Sequence, residues 1–150
     1  SALGFNYRLT NMQAALGLAQ VERMPELLRR KHCLAAAYRK RLSDIPGLEQ
    51  PPEALWAHSM FWMYGIVLAP QWNRTALDLA SRLRAEGVDT RPFFVGMHQQ
   101  PVFHQRSLFL DEHYPVSERL TKFGLYLPSG LGTTEAQVEQ VSAALHRILA

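Results

Sequence analysis

Phe61-Trp62-Met63-Tyr64-Gly65-Ile66-Val67-Leu68, then Thr75-Ala76-Leu77-Asp78-Leu79-Ala80-Ser81-Arg82-Leu83-Arg84-Ala85-Glu86-Gly87, then Val88-Asp89-Thr90-Arg91-Pro92-Phe93-Phe94 are three successive segments of different period. The first is aromatic and β-branched, a composition that suits a pleated sheet, and it predicts a strand over about Ser59 to Leu68, closed by Pro70. In the second, Leu77, Leu79, Ala80 and Leu83 recur at helical spacing, which predicts a helix from Thr75 to Glu86 with Gly87 as its terminator. The third reads as a second strand, Val88 to Phe94.

Upstream of this unit lie two helices. Thr10 followed three residues later by Gln13 is a capping box, and the helix it opens, Met12 to about Arg23, carries Ala14, Ala15, Gly17 and Ala19 among larger apolar residues. A helix apolar around its whole girth is expected to bury more than one face, against a second domain or a second subunit. Pro25 suits the first turn of a second helix, in which Leu27, Leu34, Ala35, Tyr38 and Leu42 share a face through about Ser43. Ile45-Pro46-Gly47 stops it, and Pro51-Pro52 marks a loop. Downstream, Met97 to Tyr114 shows no period and is longer than structural connections usually are, which points to function. A short helix from Val116 to Phe123, a strand at Leu125-Tyr126-Leu127 and a turn at Ser129-Gly130-Leu131-Gly132 follow. Thr134 and Gln137 form a second capping box, opening a helix that buries Val138, Val141, Leu145 and Ile148. The expected architecture is α/β, a small sheet of mixed pairing covered by helices.

The 150 residues, 47% hydrophobic and 19% charged, suit one domain and exclude a wholly disordered chain. The longest apolar run, Met60 to Ala69, falls short of the ~18–20 residues of a membrane helix. The chain starts at Ser1, and its first residues are no signal peptide, so it reads as a trimmed or partial chain. A net charge of +3 suits anionic ligands such as phosphates without demanding nucleic acid. Cys33 stands alone, which excludes an internal disulfide and a cysteine zinc cluster; the cytoplasm is the simplest location, and Cys33 is expected to be buried or half-buried.

Gly130-Leu131-Gly132 lacks the third glycine and the Gly-Lys-Ser/Thr ending of a phosphate loop, and reads as a turn before a capped helix. No two of the six histidines are spaced to ligate one metal from a single helix, so no metal site is expected. His98, in the long loop beyond Arg91, Phe93 and Phe94, reads better as a polar ligand contact than as half of a metal pair with His104. The Arg and Lys residues of the second helix, without interleaved aromatics, read as a solvated face and not as a nucleic-acid surface. Two groups remain open on composition. Asn6-Tyr7-Arg8, just before a helix start, can hold an anion with the helix's free amides, or form an Asx turn with Arg8 in an ion pair. Thr90-Arg91-Pro92-Phe93-Phe94 can line a ligand cleft, or pack as a plain edge strand.

Several ordered motifs, spanning nearly the whole chain, carry a resemblance. Gly4-Phe5-Asn6-Tyr7-Arg8-Leu9-Thr10-Asn11-Met12-Gln13-Ala14-Ala15-Leu16-Gly17 resembles the signature of the DegT/DnrJ/StrS sugar aminotransferases. Phe61-Trp62-Met63-Tyr64, Gly87 to Phe94, His98-Gln99-Gln100-Pro101-Val102-Phe103 and Leu125-Tyr126-Leu127-Pro128 resemble later stretches of the same family, in wording nearest its perosamine synthase branch.

The resemblance implies the C-terminal part of an aspartate-aminotransferase-like fold. Residues 1–45 would be a helical segment arriving from a large domain, and residues 46–150 a small α/β domain. It implies a pyridoxal 5'-phosphate enzyme that moves an amino group, usually from glutamate, onto a nucleotide-linked keto-sugar, working as a cytoplasmic homodimer with shared active sites. The family's Schiff-base lysine and its aspartate lie upstream of the Asn6 motif, so no catalytic residue is expected here, and these residues alone should not transaminate. Lys31, Lys40 and Lys122, the only lysines, stand in none of the family's contexts. Asn6 matches an asparagine that reaches the cofactor phosphate of the neighbouring subunit. Tyr7 and Arg8 share its motif, and Arg91 and His98 match positions on the sugar-nucleotide side of the cleft, where an arginine fork suits diphosphate oxygens. Where the family has an aromatic-Pro pair before the histidine, this chain has Val95-Gly96-Met97. The other classes open are a non-catalytic dimerisation module and a ligand-sensing relative.

Overall fold

The computed structural model describes residues 8–149. Helix α1 (Asn11–Glu22) begins on the expected capping box: Thr10 Oγ1 accepts the Gln13 amide, and Gln13 Oε1 accepts the Thr10 amide. Helix α2 (Met24–Leu42) takes Pro25 in its first turn and buries one stripe, Leu34, Ala35, Tyr38 and Leu42. Gly47, at φ +75°, turns the chain into strand β1 (Leu48–Glu49), which the sequence did not announce. Strand β2 (Tyr64–Leu68) leads through a 3₁₀ turn (Pro70–Trp72) to helix α3 (Ala76–Ala85). Thr75 caps α3 reciprocally with Asp78, and those hydrogen bonds hold the Asp78 carboxyl below the usual carboxylate range. Gly87, at φ +77°, ends that turn of chain as expected. There follow strand β3 (Arg91–Pro92), a 3₁₀ turn (Met97–Gln99), the single turn α4 (Pro101–His104), helix α5 (Pro115–Phe123), strand β4 (Gly124–Leu127) and helix α6 (Glu135–Leu149). The Thr134/Gln137 box precedes α6.

The four strands order as β1-β2-β4-β3, and every neighbouring pair is antiparallel. The mixed pairing expected from the sequence is not there, for a topological reason. The β2–α3–β3 crossover does leave β2 and β3 pointing the same way, but β4 inserts between them and is antiparallel to both. Alternation along the strands then divides the sheet. Tyr64, Ile66, Leu125 and Leu127 face the core with α2, α3 and α6. Gly65 and Arg91, both in register with Tyr126, and Gly124, opposite Val67, face the other side.

Four further expectations need correction. The strand drawn from Ser59 starts only at Tyr64, because Phe61 sits at φ +45° and turns its ring into the core, 5.7 Å from His32. Of Val88 to Phe94, only Arg91 and Pro92 are strand: Val88 still belongs to the exit of α3, donating its amide to Leu83 O. Pro92 has no amide to offer and sits on the edge of the sheet. Cys33 is exposed, one residue outside the buried stripe of α2, and Ile148 is only partly buried. The 97–114 segment is longer than a plain connection, as expected, but carries two short helical turns.

Helix α1 has no buried residue: Met12, Leu16, Leu18 and Val21 are 80%, 68%, 60% and 62% exposed. The two-faced burial expected for it is not supplied by residues 8–149. No helix among the described residues is long and apolar enough to cross a membrane.

Candidate functional site

The open face of the sheet is roofed by aromatic rings. Phe93 lies across Gly65 and Gly124: a Cβ on Gly65 would sit 2.7 Å from Phe93 Cζ, and one on Gly124 would sit 2.3 Å from Phe93 Cδ2. Those two glycines let a ring settle on the backbone, where it stacks on Tyr126 at 4.3 Å between centroids. Phe94 meets Tyr126 edge-on, and the Arg91 guanidinium lies 4.7 Å from the Phe94 centroid. The N-terminal half of α5 forms the facing wall. Between them is a cavity of about 550 Å³ lined by Phe93, Phe94, Tyr126, Tyr114, Val116 and Leu120, among others. Thr121 Oγ1 donates to Phe94 O and Gln100 Nε2 to Val95 O, which hold the loop over the cleft.

His98 lies on the other side of Tyr114, in a smaller pocket with Met97, Phe109 and Ser117. It is 8% exposed, its ring lies 4.8 Å from that of Tyr114, and Gly96 leaves room for its Cε1–Nδ1 edge. Glu118 Oε1 accepts the Tyr114 amide at 2.9 Å, lies 3.4 Å from His98 Nε2 and is 3.9 Å from His113 Nδ1. Tyr114 donates its hydroxyl to Glu112, whose carboxylate holds the phenol's proton on and raises its pKa. His104 Nε2 contacts His98 O at 2.5 Å. Among the described residues no group of three or more His, Cys, Asp or Glu side chains could hold a metal ion.

Neither Arg91 nor His98 lines the aromatic cavity: Arg91 lies against Phe94 and borders a separate pocket with Met63, Tyr126 and Ser129, and His98 lies against Tyr114 in the smaller pocket with Met97, Phe109 and Ser117. Arg91 is exposed and His98 buried. Arg8 is exposed ahead of the α1 cap; Asn6 and Tyr7 lie outside the described residues. The aromatic walls Tyr114 and Tyr126, and Glu118, were not singled out from the sequence. Two signals pointed that way: glycines inside otherwise bulky strands, at Gly65 and Gly124, mark a close approach, and Glu118 stands four residues after Tyr114 at a helix start.

The glycine cradle is testable. Gly65→Ala should lift Phe93 off Tyr126 and destabilise the fold by about 1–2 kcal/mol, the usual scale of overpacking. Adding Phe93→Ala removes the clash, so denaturant midpoints should show the pair costing less than the sum of its parts. Strict additivity would disprove the cradle.

The chain matches known proteins over almost its whole length. GDP-perosamine synthase of Caulobacter vibrioides is 35% identical over 148 residues, which are 98% of this chain and 39% of that protein. GDP-perosamine synthase of Vibrio cholerae is 29% identical over 139 residues, covering 93% of this chain and 37% of that protein. The chain thus spans well under half the length of these relatives. Among solved structures, Helicobacter pylori PseC, an aminotransferase involved in the biosynthesis of pseudoaminic acid, superposes with a TM-score of 0.87 at 20% identity, over 99% of this chain and 40% of that one. An Escherichia coli GDP-4-keto-6-deoxy-D-mannose-3-dehydratase solved with bound hydrated PLP superposes at 0.80 with 18% identity, over 95% of this chain and 36% of that one. At those identities the two structures establish the fold alone: residues of this chain share the architecture of about two-fifths of each of those chains. The family model for DegT/DnrJ/EryC1/StrS aminotransferases matches residues 1–146, and the chain belongs to that family.

Proposed function

We propose that residues 1–150 are the C-terminal portion of a pyridoxal-phosphate-dependent aminotransferase that transfers an amino group from glutamate to a nucleotide-linked keto-sugar, in the manner of perosamine synthase. The observation that carries this reading is the aromatic cleft on the open face of the sheet, with the Arg91 guanidinium against one of its lining rings, Phe94, and the buried His98 imidazole against another, Tyr114. Arg91 is placed to receive diphosphate oxygens, and His98 to contact the sugar. The similarity to two GDP-perosamine synthases supports the substrate class.

The cofactor supplies the electron sink through which amino groups are exchanged. The described residues do not by themselves form its site. Lys31 Nζ donates to Trp62 O at 2.8 Å and Ser129 O at 2.5 Å, Lys40 is exposed on α2, and Lys122 Nζ lies 5.3 Å from the Phe123 ring centroid. Lys31 and Lys122 are thus engaged in structural contacts and Lys40 lies on the solvated face, so the reactive lysine comes from polypeptide outside these residues, and these 150 alone do not transaminate. Residues 1–45 then form the arm joining the small domain, residues 46–150, to a large domain. The exposed apolar girth of α1 supports docking there or on a second subunit. The assembled enzyme is a cytoplasmic homodimer in which Asn6, with Tyr7 and Arg8 beside it, reaches the neighbour's cofactor phosphate.

The test is the complete polypeptide incubated with pyridoxal phosphate and glutamate. Conversion of the cofactor to its amine form, and amination of a GDP-linked 4-keto-sugar seen by mass spectrometry, are expected. Absence of the amine form would move the reading to a ligand-sensing relative. In the same protein Asn6→Ala should weaken cofactor binding by about 1–2 kcal/mol, the scale of one hydrogen bond to a charged group, read by absorbance titration. Unchanged affinity would remove Asn6 from the phosphate.

A further inference from the structure

Lys31 reaches from α2 to the point where the central ladder of the sheet ends. Strands β2 and β4 pair as far as Tyr64 and Leu127, and two residues further on the same register sets Trp62 opposite Ser129. The strands stop short of that pair, and side chains take over from the ladder. The Ser129 hydroxyl accepts the Tyr64 amide at 3.2 Å. The Trp62 and Ser129 carbonyls both accept from Lys31 Nζ, at 2.8 and 2.5 Å. Two carbonyls turned to one point repel each other, and an ammonium, with three donors and no lone pair, suits them both.

The residues so joined carry a wall of the small pocket beside Arg91. That pocket holds about 250 Å³ and is lined by Met63, Thr90, Arg91, Tyr126, Leu127 and Ser129, among others. Met63 follows Trp62 directly, so one lining residue hangs on each side of the Lys31 bridge. Arg91 stands on β3, in register with Tyr126 of β4. Asp89 also borders the pocket, but its carboxylate accepts from Arg84 at 2.9 Å. Lys31 itself is not in the lining, so it acts on the wall and not on a ligand. Arg30, also on α2, donates to Leu131 O at 2.5 Å, in the same turn but away from the pocket.

We propose that Lys31 is a positioning residue for nucleotide-sugar binding: by joining the Trp62 and Ser129 carbonyls it sets the Met63–Ser129 wall against Arg91, and with it the fit of the diphosphate. The proposal rests on the reading of Arg91 as the diphosphate contact of a nucleotide-sugar aminotransferase. Without the ammonium the two carbonyls part, the wall moves, and an anion held between wall and guanidinium loses its fit.

The test uses the complete polypeptide loaded with cofactor. Calorimetric titration with GDP reports on the diphosphate. The glutamate half-reaction, followed by the cofactor's absorbance, reports on the same active site without one. Lys31→Met keeps the apolar stem and removes all three donors. It should raise the Kd of GDP about tenfold, the scale of a lost hydrogen bond to a charged group, and slow the glutamate half-reaction several-fold less. Lys31→Arg supplies donors again and should return the GDP Kd to within about threefold of wild type. In an Arg91→Met background, Lys31→Met should add less than about twofold, since the wall then has no guanidinium to face. Arg30→Met should leave GDP binding at the wild-type value. If the thermal midpoint shows that Lys31→Met does not fold, Lys31→Gln, too short to span both carbonyls, is read by the same measurements. Equal losses in the two readouts, no loss on GDP, Lys31→Arg as weak as Lys31→Met, or full additivity with Arg91→Met each overturn the proposal. Wild-type protein that binds no GDP overturns the reading beneath it, a separate result.

Discussion

Between pH 10 and 12 the folded domain is expected to lose stability steeply, because unfolding then frees two buried phenols to ionise. Tyr38 and Tyr64 are both 0% exposed and stack on each other at 4.9 Å, with 29° between ring planes. Tyr38 donates to Pro128 O at 2.8 Å and Tyr64 to Gln50 Oε1 at 2.7 Å, bonds that a phenolate cannot make. Burial pushes the Tyr64 phenol up to about 12 against a smaller pull from Arg39, and burial with the neighbouring Tyr64 pushes Tyr38 higher still. In the unfolded chain both titrate near 10. Below that value both states keep their protons, and this contribution is intact. Above it the unfolded chain holds fewer protons than the folded one, so stability falls as pH rises through the folded values. Two fully linked groups set a ceiling of ~2.7 kcal/mol per pH unit. Lys31 works against them: desolvation lowers its pKa, so the folded state sheds that proton first and stability gains as pH rises. A net fall of about 1–2 kcal/mol per pH unit is expected, read as urea midpoints along a pH series. Tyr38→Phe with Tyr64→Phe should flatten the slope in this window. A slope that survives both substitutions would place the alkaline lability elsewhere.

What the sequence made legible follows the range of the interaction that decides each feature. The caps at Thr10 and Thr134 are settled by a residue three positions away, and the glycine stop at Gly87 by its own backbone; all three are where the sequence put them. Helix α2 shows its core face because the stripe of Leu34, Tyr38 and Leu42 is written at helical spacing. The sheet was harder. Whether β2 and β3 touch depends on where β4 goes, and Gly124 lies some thirty residues beyond β3 with nothing local to place it. Phe61 looks like strand by composition, and only its left-handed backbone reveals that it serves the core from a turn. The site divides the same way. Arg91 and His98 stand out as polar residues among aromatics, so they were legible one by one. The rings they lie against come from the segment after β3 and from the residue that precedes α5, and Glu118 meets His98 only because α5 starts beside it.

Leu83→Ala tests how far the cleft depends on the core beneath it. Leu83 is fully buried in the cluster that also holds Ile66, Leu125, Val141 and Leu145. It lies on the last turn of α3, where its own carbonyl accepts the amides of Glu86 and Val88 as the chain leaves for β3. Truncation removes transferred apolar surface and leaves a void that well-packed neighbours only partly fill, which costs about 2–5 kcal/mol. For a chain of this length a loss near 3 kcal/mol lowers Tm by roughly 6–12 °C. Leu77→Ala is the matched control: the same helix and the same substitution, but at a position 66% exposed, where a change within about 0.5 kcal/mol is expected. The contrast reports which face of α3 the core uses. It also bears on the site, because β3 pairs with β4 over only two residues, and Arg91 is one of them. An edge strand that short is held chiefly by what lies under it, so Leu83→Ala should speed amide exchange at Arg91 and Phe93 more than at Ile66 in the centre of the sheet. Uniform acceleration across β2, β3 and β4 would show instead that the sheet opens as one unit, and that Arg91 is held as firmly as the core itself.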